Sequence, residues 1–343
     1  MKAKFINKLK KKSDVICWAT DFSNFRGEGV LARSFIKNYS KEKKIKVFVR
    51  SYRSFFFINN GKIEIEKKFD LLNLNIFHKY LLPFIGLIYL WINIKKKIMF
   101  INYVPLWNFL IFLFSPKKIK FGPITGGSIS NERNFILNFI RKNVFYFFYK
   151  ISVTLIRIKK YNVIFSTDLL LKYTKNLPNK KYSYAISIYQ KRKKIKKTID
   201  CLVYYRKHSN KNNSNLKLFI NNMIKNKKKI YVVGDKLNFK GLKNLGNIER
   251  QKLFKYLDKT KYSFSSSENY YALFIIDSIA SNVKIIVNKN FKNKLSKYFH
   301  LKNFIFYKDI SKIKKYYFKR KNSNKEKKLL LFIKKMNKYL VTI

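Results

Sequence analysis

Arg206 stands directly after the apolar run Ile199–Tyr205 (IDCLVYY), and Lys211 follows five residues later. A run of that kind reads as a buried strand, which puts both cations just past its carboxyl end. There an Arg fork and a Lys point charge can neutralise a diphosphate, although two solvated loop cations would show the same spacing. Further on, Glu268 follows the strand-like YSFS, and Asp277 lies inside the apolar helical run Ala272–Ser281. The first amides of a helix lack intrahelical partners and its dipole favours negative charge. The helix start near Tyr271, Ala272 and Leu273 can therefore take an anion. Glu268 ahead of it can accept from sugar hydroxyls, and Asp277, two turns in, from ribose hydroxyls. A capping Glu268 and a solvated Asp277 are the plainer alternative.

Two glycine-rich segments lie in the first half. FRGEGVLAR at Phe25–Arg33 reads as a flexible Gly27-Glu28-Gly29 turn between the first strand and the first long helix. Such a turn lets backbone amides approach an anion or a sugar, and it serves equally as an ordinary connection. FGPITGGSIS at Phe121–Ser130 follows another strand-like run. Its Gly122-Pro123 and Gly126-Gly127 pairs predict a tight loop with no side chains in the way.

The elements that must position these residues alternate. Asp14–Ala19, Ile45–Val49, Ile98–Asn102, Ile119–Phe121 and Val163–Ser166 read as strands, with helices expected over Val30–Tyr39, His78–Ile94, Leu106–Phe114 and Asn134–Arg157. The apolar-poor KRKKIKK at Lys191–Lys197 reads as a linker. Beyond it, strands at Thr198–Tyr205, Lys229–Val233, Tyr262–Ser265, Lys284–Val287 and Ile305–Tyr307 alternate with helices at Leu216–Lys225, Arg250–Leu257 and Ala272–Ser281. A terminal helix is expected over Asn324–Leu340. Strand–helix alternation in two successive blocks predicts two α/β domains with doubly wound parallel sheets. Their expected extents are 1–190 and 198–323, with 324–343 as the terminal helix that can return to the first domain. In such sheets ligands sit at the carboxyl ends of the strands, here in a cleft between the domains.

Composition narrows the partners. The 343 residues hold 77 Lys and Arg against 17 Asp and Glu, a net charge of +60. That charge attracts polyanions such as diphosphates, anionic lipid or nucleic acid. Lys, Ile, Asn, Phe and Tyr all have A/T-rich codons, so a biased genome raises it as readily. At 47% hydrophobic and 17% aromatic the chain is no disordered tail. Cys17 and Cys201 sit in separate apolar runs and the three histidines are far apart, so no metal site is expected. The basic MKAKFINKLKKKSD runs directly into a strand and lacks a signal-peptide core. Tyr80–Ile94 is uncharged but short and holds Pro83 and Gly86, which predicts a core or interfacial helix. Lys95, Lys96 and Lys97 behind it suit an anionic leaflet.

The order of segments from 198 to 287 carries a resemblance. YYRKHSNKN, then VVGD at Val232–Asp235, LGNIERQKLFKYL at Leu245–Leu257 and YSFSSSENYYALFIIDSIASNVKII at Tyr262–Ile286 resemble the carboxyl-terminal half of GT-B retaining glycosyltransferases. The Arg206-to-Lys211 spacing agrees with that family, with Tyr205 where the family has Gly. Glu268 matches its first motif Glu and Asp277 its second, nine positions apart rather than eight, and Asn269–Ala272 replaces Gly-Phe-Gly. FGPITGGS looks like the glycine-rich loop of the surface-polysaccharide members, and the Gly27–Gly29 segment resembles their diphosphate-facing loop.

The resemblance implies two Rossmann-like domains and sugar transfer from a nucleotide-sugar to an acceptor hydroxyl with retention, in surface polysaccharide or lipopolysaccharide assembly. It implies Arg206, Lys211 and Glu268 as catalytic residues. Asp277, Tyr271, Ala272, Leu273, Gly27, Gly29, Gly126 and Gly127 would bind the donor. Neither metal nor cofactor is implied, the acceptor would be lipid-linked or a saccharide, and no nucleic acid is expected. The expected location is the cytoplasm, at the inner face of the membrane. A basic nucleic-acid-binding protein and a catalytically silent homologue are the alternatives; affinity for single-stranded DNA and release of UDP separate them.

Overall fold

The computed structural model describes residues 2–24, 27–69, 78–102, 104–124, 136, 139–166, 170–178, 180–182, 195–207, 214–264, 273–296 and 301–308. The expected terminal helix lies outside them, as do residues 191–194 of the expected linker. Elements are numbered below among the described residues. The chain divides into two compact units, the first carrying an 8-stranded sheet and the second a 6-stranded one.

In the first unit α1 (Lys2–Lys12) precedes β1 (Val15–Ala19), α2 (Gly27–Lys43) and β2 (Lys46–Arg50). An antiparallel pair follows, β3 (Ser54–Asn59) and β4 (Lys62–Lys68). Next come α3 (His78–Ile92), β5 (Lys97–Ile101), α4 (Phe109–Phe114) and β6 (Lys120–Ile124). A π-helical turn at Ile140–Val144 leads into α5 (Phe145–Ile158), then β7 (Asn162–Phe165), α6 (Leu171–Thr174) and β8 (Lys180–Tyr182). The strand order is β4-β3-β2-β1-β5-β6-β7-β8, parallel from β2 to β8.

Helix α1 and the β3–β4 hairpin differ from what the sequence pattern predicts. The amino-terminal stretch does not run directly into a strand. Lys2–Lys12 is helical, and its spacing turns Ile6 and Leu9 onto Phe48, Phe55 and Phe57. The β3–β4 hairpin was absent from the expected elements, so the first sheet is mixed rather than all parallel. Its signal was local: Asn60-Gly61 between SFFFIN and KIEIEKK, both turn residues at positive φ (52° and 79°), as a tight hairpin requires.

In the second unit β9 (Ile199–Tyr205), α7 (Ser214–Lys225), β10 (Ile230–Gly234), β11 (Leu242–Asn244) and α8 (Arg250–Asp258) come first. They are followed by β12 (Thr260–Phe264), α9 (Leu273–Ala280), β13 (Lys284–Asn288), α10 (Lys292–Ser296) and β14 (Phe304–Tyr307). The order β11-β10-β9-β12-β13-β14 is parallel throughout. Read outward from the first strand it is the dinucleotide-binding order 3-2-1-4-5-6. Both units are thus α/β with doubly wound sheets. Cys201, Val203, Ile230, Val232 and Ile286 are buried against Leu216, Phe219 and Ile220 of α7 and against Phe264, which is why these strands are unbroken apolar runs. Cys17 and Cys201 are buried free thiols, and burial raises both pKa values.

The end of the expected linker is anchored. The Lys197 ammonium donates to the carbonyl of Ser281 at 2.8 Å and to that of Leu257 at 3.4 Å. Burial pushes its pKa from 10.5 down to about 8, with Asp258 drawing it partly back. The unfolded chain then holds this proton more tightly than the folded one, so folding stability gains as pH rises through the window from about 8 to 10.5. Against Lys197→Met, the wild type should gain urea-unfolding stability across that window. A flat difference would show that the amine stays solvated.

Candidate functional site

The second sheet reverses its winding between β9 and β12, because β10 and β11 extend from one side of β9 while β12 returns on the other. Connections that leave in opposite directions open a crevice at the carboxyl ends of those two strands. β9 ends at Tyr205, and the next residue, Arg206, is exposed there. The Tyr204 ring meets Phe274 in the first turn of α9, centroids 5.8 Å apart. This contact ties the end of β9 to the helix start at Leu273, which is half-buried. Burial raises the Tyr204 phenol pKa, the Arg206 charge lowers it, and Asp235 adds to the rise. Arg206, Leu273 and Asp277 therefore belong to one end of one unit. Lys211, Glu268, Tyr271 and Ala272 lie outside the described residues.

The exit of the chain from β9 is clamped by β10. Asp235 accepts the Lys207 amide at 2.7 Å and donates its own amide to the Tyr205 carbonyl at 2.9 Å. The backbone around Arg206 is held between those two bonds. Gly234 has φ +104°, and a Cβ there would stand 2.2 Å from the Tyr205 carbonyl oxygen. The VVGD segment thus has a local cause: Gly because nothing larger fits against β9, Asp because it fixes the backbone beside Arg206. No local pattern marks Asp235 for this task, because the amide it holds lies 28 residues earlier in the chain.

Asp277 is 1% exposed, so the solvated alternative is overturned. It stands one turn beyond Leu273, and both oxygens accept from Arg250: Nε to Oδ2 at 2.9 Å and Nη2 to Oδ1 at 2.6 Å. Arg250 opens α8 and lies over the Phe254 ring, 5.5 Å from its centroid. The fork geometry couples α8 to α9 and orients the carboxylate. Arg250 was visible as the first residue of an expected helix, but its partner, 27 residues away, was not.

The first unit has a corresponding switch between β1 and β5. Asn102, fully buried at φ +52°, follows β5 there. Its amide donates to the carbonyls of Asp21 at 2.5 Å and Glu28 at 3.0 Å. The Gly27–Gly29 segment is not a flexible turn. Gly27 opens α2, exposed and with open space where a Cβ would stand. Gly29 is buried in the first turn, where a Cβ would come within 2.5 Å of the Ser23 amide nitrogen and 2.8 Å of the Asp21 carboxylate. It is a packing glycine that lets α2 close on the 21–23 segment. Gly122-Pro123 is also not in a loop after a strand: it lies within β6, Gly122 at φ +129° against the Ile164 carbonyl. Gly126 and Gly127 lie outside the described residues. No group of three or more His, Cys, Asp or Glu able to hold a metal stands together among the described residues.

No protein-family model matches the sequence, and no curated protein matches it. Solved structures are similar at low identity. The UDP-N-acetylglucosamine 2-epimerase of Rickettsia bellii has a TM-score of 0.47 at 12% identity, over 80% of this chain and 78% of that one. The Methanocaldococcus jannaschii UDP-GlcNAc 2-epimerase, in complex with UDP-GlcNAc and UDP, has 0.47 at 10% identity over 94% and 92%. Anabaena HepE in complex with UDP-glucose has 0.46 at 11% identity over 80% and 80%.

Proposed function

We propose that this chain transfers a sugar from a nucleotide-sugar donor to an acceptor hydroxyl, with the donor diphosphate at the carboxyl end of β9. The observation that carries the reading is Arg206. It is an exposed cation one residue past β9, with its backbone clamped by Asp235, at the switch point of a sheet in dinucleotide-binding order. Arg206, joined by Lys211, takes up the negative charge that builds on the diphosphate as its bond to the sugar breaks. The same anion would be taken by the amides of Tyr271, Ala272 and Leu273, the sugar by Glu268 and the ribose by Asp277. The Arg250 fork holds the Asp277 carboxylate in place. Of the glycines expected to bind the donor, Gly27 is exposed with open space where a Cβ would stand, whereas Gly29 is taken up in packing α2. The new bond forms with retention and without a metal, on a lipid-linked or saccharide acceptor of surface polysaccharide or lipopolysaccharide assembly.

Thermal-shift screening against UDP-, GDP- and CMP-sugars tests the donor site directly. One class should raise the melting temperature of the wild type, and Arg206→Ala with Lys211→Ala should abolish that rise. A rise that survives both substitutions would put the diphosphate elsewhere.

A further inference from the structure

Helices α3, α4 and α5 share one core on one face of the first sheet, where Leu87 and Leu90, Ile111 and Phe112, and Tyr149 and Ile156 meet Phe100 and Phe121. Their outward faces are apolar as well. Along α3, Leu81, Ile85, Ile88 and Ile92 recur every three or four residues and are 55%, 38%, 62% and 77% exposed. Phe114 on α4 and Phe147 and Ile158 on α5, 56–68% exposed, continue the surface. A solvated helix exterior is ordinarily polar, and apolar patches spanning several elements mark interaction sites.

The fold gives this patch a strongly basic rim, with the exposed Asp14 carboxylate, which accepts from the Lys46 amide, at its α1 end. Each of these crossover helices ends near the start of the next strand, so their carboxyl ends gather at the strand amino ends, opposite to the switch point. Trp91 Nε1 donates to the Phe114 carbonyl at 2.7 Å, joining the ends of α3 and α4. The Lys159 ammonium donates to the Phe112 carbonyl at 3.3 Å, joining α5 to α4, and its pKa is lowered by burial and by Lys117. Lys96 reaches the Lys11 and Ser13 carbonyls at 3.1 Å, bringing in the end of α1. Lys12, Lys95, Lys97, Lys117, Lys118 and Lys160 are exposed along this end.

We propose that this face seats the chain on an anionic bilayer surface, the α3–α4–α5 exterior among the acyl chains at headgroup level and the lysine rim on lipid phosphates. The charge selects the occupant: a second copy would bring one lysine rim against another, and nucleic acid would leave the Ile88 and Ile92 aliphatic surface uncovered. Among the described residues no helix is long and apolar enough to cross a membrane, so the seat proposed is interfacial. The inference does not depend on sugar transfer.

The test is co-sedimentation of the full chain with phosphatidylglycerol/phosphatidylcholine vesicles and with phosphatidylcholine alone. It is paired with quenching of Trp91, 49% exposed, by acyl-chain-brominated lipid, with Trp91→Phe as reference. Binding should require the anionic lipid, and bromine should quench Trp91. Ile88→Ser with Ile92→Ser and Phe147→Ser should weaken partition by about a hundredfold at an unchanged melting temperature. Lys95→Gln with Lys117→Gln and Lys118→Gln should weaken it by about tenfold or more. Equal binding of the apolar triple variant, or binding without quenching, would reduce the effect to bulk charge and overturn the proposal. So would a wild type that ignores vesicles but dimerises through this face, becoming monomeric in the triple variant.

Discussion

Arg250→Met is expected to cost about 3–5 kcal/mol of folding stability, because it takes the guanidinium away from a buried carboxylate. Asp277 is 1% exposed, and both of its oxygens accept from the Arg250 fork. Arg250→Met with Asp277→Leu should recover most of the loss, since apolar replacement of a whole buried pair is near neutral or better while removal of one partner is not. Urea unfolding of the two single variants and the double variant closes the cycle. A loss below about 1 kcal/mol for Arg250→Met would place the pair in the weak class of exposed ion pairs. The pair is also how Asp277 would meet a ribose in a fixed orientation, so the double variant should fold yet bind the donor poorly.

Arg206→Ala is expected to lower the transfer rate by about a hundredfold or more, the usual scale for removing one preorganised group that stabilises transition-state charge. Its urea midpoint should stay near the wild-type value, because Arg206 is exposed and its neighbours Tyr205 and Lys207 are held by the amide and the carboxylate of Asp235. The two substitutions therefore separate: Arg250→Met acts on folding, Arg206→Ala on turnover. Arg206→Lys should restore part of the rate, since a point charge replaces the fork without its bidentate geometry. Donor turnover with UDP-, GDP- and CMP-sugars, measured as nucleoside diphosphate release with acceptor present, reads the effect. Unchanged turnover in Arg206→Ala would remove the diphosphate from β9.

Much of the second unit was legible before any tertiary structure. Its main strands and helices fall within a few residues of where apolar runs and their cationic borders put them, for instance Ile199–Tyr205, Ile230–Gly234 and Leu273–Ala280. Parallel strands covered on both faces are continuous apolar runs, and that pattern is local. The first unit was read less completely. Asn60-Gly61 carried a hairpin signal that the strand–helix rhythm obscured, and the amphipathic spacing of α1 was masked by its lysines. The glycines misled for a different reason. A G-x-G pair announces that something comes close, but not what: at Gly29 it is the 21–23 backbone of the same chain.

Local pattern alone determined that the chain is two α/β units, that its thiols are buried, and that an Arg stands at the end of one strand. The tertiary structure decided which strands lie beside β9, and hence that this Arg sits at a switch point. It also decided that Arg250 reaches Asp277 across 27 residues and that Asn102 reaches Asp21 across 81. Periodicity reports which side of an element is apolar, a property of neighbouring residues. Strand order and polar pairing depend on where each crossover returns, and that is settled only when the whole core is packed.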